Sequence, residues 1–184
     1  TPSSDIVKAL EPEIPPYQRA IFAYGTTASA NTTISNLVGT NGVVASDTSG
    51  VGTARTKPAA TGYGIDKGIF AYGQTSGVIS LSNLVGNNGV VATDVTGVGT
   101  ARTAPSALSF GGDKGIFAYG DTGSVTNLSN LVSNVGVVAT DTTGVGTSRS
   151  LLGGAEYGDD KAAFAYGLTA APFVSMKNLV TNLG

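Results

Sequence analysis

The segment Phe-Ala-Tyr-Gly occurs four times, at 22–25, 70–73, 117–120 and 164–167, with spacings of 48, 47 and 47 residues. A period of this length means that one supersecondary unit is reused. A single such unit cannot cover its own apolar faces, so neighbouring units must stack. The rest of the unit recurs in the same register. Asn-Leu-Val starts at Asn36, Asn83, Asn130 and Asn178, Gly-Val-Val at Gly42, Gly89 and Gly136, and Gly-Val-Gly-Thr at Gly50, Gly97 and Gly144. An aspartate precedes the last motif (Asp47, Asp94, Asp141) and an arginine follows it (Arg55, Arg102, Arg149). Asp-Lys stands before the later Phe-Ala-Tyr-Gly segments at Asp66, Asp113 and Asp160, where the first has Gln18-Arg19.

Within a unit the pattern is that of short strands and turns. Residues 68–72 form a run of aromatic and branched residues stopped by Gly73. Residues 78–85 begin with the alternation of a half-buried strand. Asn87-Asn88-Gly89 reads as a turn, 90–93 as another strand, and 100–109 as the place of a fourth. Helical spacing is not sustained in the repeats, and the one helix candidate is 4–10. The expected fold is all-β: four units of about 47 residues, starting near 18, 66, 113 and 160, each with short antiparallel strands. Four strands per 40–50 residues suit a β-propeller-like ring of blades. A β-solenoid or a stacked fibrous sheet array is the alternative. Residues 1–17, with Pro12, Pro15 and Pro16, read as an extended arm or linker. They could also supply strands that the last unit lacks and so close a ring.

The inventory of side chains removes most chemistry. The 184 residues include no cysteine, histidine or tryptophan. Disulfides, thiolate or imidazole metal sites and histidine-dependent triads are therefore excluded. The net charge of −2 offers no basic surface for nucleic acid. No apolar run is long enough to cross a bilayer as a helix, so membrane insertion is not expected. Carboxylate pairs that could serve a glycosidase are limited to Glu11 with Glu13 in the arm and Asp159 with Asp160 in a turn. No enzyme activity and no cofactor are expected.

The recurring residues carry the remaining hypotheses. Asp47, Asp94 and Asp141 precede glycine-rich backbone, which makes them calcium candidates. One carboxylate per unit also suits a turn in which the side chain accepts backbone N–H bonds. Gly-Val-Gly-Thr lacks the lysine of a phosphate loop and reads as a tight turn. Arg55, Arg102 and Arg149 are expected to make a repeated bond, to the aspartate of Asp-Lys or to carbonyls of the next unit. A ring of arginines for an anionic sugar or phosphate is the alternative. Phe22, Phe70, Phe117 and Phe164 stand two residues before Tyr24, Tyr72, Tyr119 and Tyr166. In a strand that spacing puts both rings on one face, packed between adjacent sheets. Asn31 and Asn127 open glycosylation sequons.

The order of Arg, a small apolar strand, Tyr-Gly, Asp-Lys, Ile-Phe-Ala-Tyr-Gly and Asn-Leu-Val resembles a degenerate kelch-type blade. It differs in having one glycine after the aromatic strand and no tryptophan. It is more similar to repeats of long structural proteins of bacteriophages, cyanophages included, over about residues 19–184. That resemblance implies a structural role in a fibre, tail or capsid surface, hence a virion or extracellular location. The expected partners are further copies or other structural subunits, met through the N-terminal arm. The four stretches 26–35, 74–82, 121–129 and 168–177 differ between units while their flanks repeat. They make a multivalent cell-surface glycan or receptor binder the alternative function.

Overall fold

The computed structural model describes residues 20–184. The N-terminal arm of residues 1–17 and the helix candidate at 4–10 lie outside the described residues. Every regular element described is a β-strand: β1 (Ala20–Ala23), β2 (Ser35–Val38), β3 (Ala59–Tyr63), β4 (Lys67–Ala71), β5 (Ser82–Val85), β6 (Ser106–Phe110), β7 (Lys114–Ala118), β8 (Ser129–Val132), β9 (Gly153–Tyr157), β10 (Lys161–Ala165) and β11 (Lys177–Val180). They form four small antiparallel sheets, β1-β2, β3-β4-β5, β6-β7-β8 and β9-β10-β11. The chain is all-β. The three larger sheets begin at 59, 106 and 153, so each sheet starts several residues before its Asp-Lys pair rather than at it.

The Phe-Ala strand is the middle of each sheet. In the second sheet Phe70 lies opposite Ala60 on one side and Asn83 on the other. The run expected at 78–85 narrows to β5, and Val78 instead makes an isolated bridge to Gln74. The strand expected at 90–93 is reduced to one bridge, Val91 to Val85, and a second bridge, Val95 to Ser82, follows beyond it. Three steps along β5 face four along its partner, which is the count of a β-bulge. Asn83 fills the gap, its Nδ2 donating to the Ala92 carbonyl at 3.0 Å. Asn36 and Asn130 do the same toward Ala45 and Ala139.

The core lies between sheets. One cluster joins Ile21, Ala23 and Tyr24 to Phe70, Val85 and Val91. A second joins Ile69, Ala71 and Tyr72 to Phe117 and Val132, and a third joins Ile116, Ala118 and Tyr119 to Ala162, Phe164 and Val180. In β4 both Ile69 and Phe70 are buried, because each face meets a neighbouring unit.

This arrangement corrects the expectation that Phe and Tyr of one unit share a face. β4 ends at Ala71, and Tyr72 takes a left-handed backbone with φ 63°. Strand alternation stops there, so Phe70 points to the preceding unit and Tyr72 to the following one. Tyr24, Tyr119 and Tyr166 have the same turn, at φ 65°, 62° and 61°. The rings do pack between sheets, but as Tyr of one unit against Phe of the next: Tyr24 on Phe70, Tyr72 on Phe117 and Tyr119 on Phe164. Their centroids are 5.5, 5.4 and 5.6 Å apart, edge to face.

Candidate functional site

The recurring polar residues meet at the joints between units. At the second joint Arg102, fully buried, donates from its terminal nitrogens to Asn130 Oδ1 at 2.7 Å and to the Thr100 carbonyl at 3.2 Å. Its guanidinium lies over the Tyr72 ring, 4.0 Å from the centroid. Arg55 repeats these contacts with Asn83, Thr53 and Tyr24, and Arg149 with Asn178, Thr147 and Tyr119. The predicted bond to the aspartate of Asp-Lys is not made. Asp66 and Asp160 instead hold the adjacent Lys67 and Lys161 at 2.9 and 2.6 Å. The other aspartate lies nearer the arginine: Asp141 Oδ1 is 4.0 Å from Arg102.

Asp141 is the second half of the clasp. It accepts the Thr100 backbone N–H at 2.9 Å, the Thr100 hydroxyl at 2.7 Å and Asn130 Nδ2 at 2.9 Å. Asp94 takes the same three donors from Thr53 and Asn83. Burial raises the pKa of both carboxyls. The bonds from Thr and Asn and the charge of the nearby arginine outweigh it, leaving both below the usual carboxylate value. Burial likewise pulls Arg55 and Arg102 below the usual arginine value.

Gly-Val-Gly-Thr is the backbone half of this clasp. Gly99 has φ 75°, and a Cβ there would lie 2.4 Å from Asp141 Oδ1. Gly144 approaches the Asn127 carbonyl so closely that a Cβ would sit 1.1 Å from its oxygen. The backbone bends at the second glycine of the motif, so the first glycine packs on its own unit and the second on the next.

Measured against models of protein families and against curated proteins, the chain matches none.

The chemistry of the joint is hydrogen bonding and packing. As calcium ligands, Asp94 and Asp141 would need oxygen lone pairs converging with theirs, whereas both face N–H and O–H donors. Asp47 meets one such donor, Asn36 Nδ2, at 2.8 Å. Among the described residues no group of three or more acidic side chains gathers at one point. Asp159 and Asp160 lie at the exposed β9–β10 turn, and Glu11 and Glu13 are outside the described residues. The arginines line no open ring, being covered by tyrosine and asparagine. The sequon asparagine Asn127 uses its amide on the Gly144 and Gly146 carbonyls, and Asn31 uses its own on the Gln74 carbonyl.

Sequence reading left two partners without a role. One is the asparagine of Asn-Leu-Val, the hub that joins Arg, Asp and the bulge. The other is the threonine closing Gly-Val-Gly-Thr. A polar residue recurring in the middle of an apolar strand was the available signal for the first.

Proposed function

We propose that this chain is a non-enzymatic structural protein whose units are clasped into a stiff array. The array serves as a component of a virion surface, tail fibre or extracellular appendage. The observation that carries the reading is the use of the recurring side chains. At all three internal joints Arg, Asn, Tyr and Phe, and at the first two Asp as well, are spent on a neighbouring unit, so what repeats is the means of stacking. Face-to-face packing of successive sheets through the same contact three times favours a propeller-like arrangement over a solenoid. The virion or appendage setting rests on the resemblance of the repeat to phage structural proteins. Electron microscopy of the purified protein, together with its mass in solution, tests the reading. Regular assemblies or filaments are expected, and a discrete monomeric ring would count against a scaffold.

A second reading has its own support. The loops at 26–35, 74–82, 121–129 and 168–177 are pinned at one place in each unit by equivalent bridges. Those bridges are Thr26 to Asn31, Gln74 to Val78, Asp121 to Val125 and Leu168 to Phe173. A fixed base under a varied loop suits several weak sites for a surface glycan or receptor. A glycan array followed by calorimetry would show retention at several equivalent sites, and no binding would remove this reading.

A further inference from the structure

The two ends of the stack present opposite halves of the joint that the chain forms three times internally. Two packing contacts define that joint. Tyr of one unit meets Phe of the next at all three joints, and Leu of Asn-Leu-Val meets a bare glycine of the next unit, in the Gly-Val-Val turn at the first two joints and at Gly184 in the third. A Cβ on Gly89 would lie 2.3 Å from Leu37 Cδ2, and one on Gly136 would lie 2.9 Å from Leu84 Cδ2.

At the first unit the accepting half is open. Phe22 is 63% exposed, whereas Phe70, Phe117 and Phe164 are buried. Around Gly42 nothing lies within 4 Å of where a Cβ would be. At the fourth unit the inserting half is open. Tyr166 is 64% exposed, whereas Tyr72 and Tyr119 are buried, and Leu179 is 62% exposed. Neither Phe22 nor Tyr166 has an aromatic partner among the described residues.

We infer that the Tyr166–Leu179 face of one molecule docks on the Phe22–Gly42 face of a second copy, repeating the internal joint between chains. This inference rests on the scaffold reading and names the surface through which the scaffold grows. The occupant is a second copy because this chain carries both halves, and their complementarity is already displayed three times within it. The contact is heterologous: each molecule uses one face to give and the other to receive. It therefore produces an open filament or a closed ring. The two faces meet through apolar packing, so association is expected to persist in high salt. The joint between chains as described consists of the Tyr–Phe and Leu–Gly contacts. It is expected to be reversible and to depend on protein concentration.

Sedimentation velocity on the full chain across a concentration series tests this, with Phe22→Asp and Leu179→Asp as single-face variants. Both side chains are exposed, and circular dichroism with thermal melts checks that each variant folds. Wild-type protein is expected to shift to larger species as concentration rises, and each variant alone to remain monomeric. A mixture of the two variants is expected to form a dimer and nothing larger, since only one joint survives between them. A general loss of stability would not produce that dimer. Wild-type assemblies that resist both substitutions and vanish when residues 1–17 are removed would overturn the end-to-end joint while leaving the scaffold reading in place. A wild-type protein that stays monomeric throughout, yet retains a glycan, would overturn both.

Discussion

Thr100 and Asp141, forty-one positions apart, are joined by bonds from both the backbone N–H and the hydroxyl of the threonine to one carboxylate. Thr53 and Asp94 repeat the pair one unit earlier. The threonine ends the linker leaving one unit and the aspartate belongs to the outer segment of the next. The bond therefore fixes how successive sheets sit on one another. A charged acceptor strengthens each of these bonds relative to a neutral one.

Acid should loosen the joints. Asp94 and Asp141 have pKa values lowered in the folded protein, so their contribution is complete above the ordinary aspartate value near 3.9. It is lost as pH falls from there through the lower folded values. Melting temperature is expected to drop along this acid limb. The D94N/D141N double variant should have a lower melting temperature at neutral pH and a flatter limb. An unchanged slope would show that other carboxylates control it.

Arg102→Lys should destabilise the chain by about 2–4 kcal/mol, read as a lower urea midpoint. Lysine keeps the charge but loses the planar stack on Tyr72 and the paired donation to Asn130 and Thr100. Charged hydrogen bonds contribute about 1.5–3 kcal/mol, and a desolvated cation–π contact about 2. A midpoint within error of wild type would mean that the guanidinium is dispensable.

Gly99→Ala and Gly42→Ala separate crowding from backbone strain. Their φ angles are nearly equal, 75° and 77°, but only at Gly99 would the Cβ strike Asp141 and Asn130. Gly42→Ala should cost about 1–2 kcal/mol, the usual left-handed penalty. Gly99→Ala should cost distinctly more, and equal losses would discount the close approach.

Ile65→Gly should stabilise by about 1 kcal/mol. Ile65 is a β-branched residue held at φ 74° in the β3–β4 turn and is 80% exposed, so little packing is lost with it. The corresponding turn between β6 and β7 has Gly112, at φ 78°. A lower melting temperature for the variant would show that the isoleucine makes a contact worth more than its strain.

Calcium or a chelator should leave the melting temperature unchanged, because the Asp94 and Asp141 oxygens already accept from threonine and asparagine. A rise of several degrees with calcium would require those bonds to be replaced by metal ligation.

Much of this was written in the spacing of residues. The periodic Phe-Ala-Tyr-Gly and Asn-Leu-Val segments determine an all-β chain of stacked units, because short runs between turns can bury their apolar faces only against one another. Recurrence also singled out Arg55, Arg102 and Arg149 for a repeated bond, whereas the aspartates and the glycines read only as turns. Partner choice depended on the tertiary structure. The left-handed backbone at Tyr72 sends the ring away from the side that Phe70 faces, and no rule of alternation reports where a strand ends. The bulge opposite β5 turns Asn83 into the hub of the clasp. Arg55 therefore meets Asn83 and Tyr24 rather than Asp66. Sequence period sets that units must stack, whereas the side that each residue faces is decided by single backbone angles at the ends of strands.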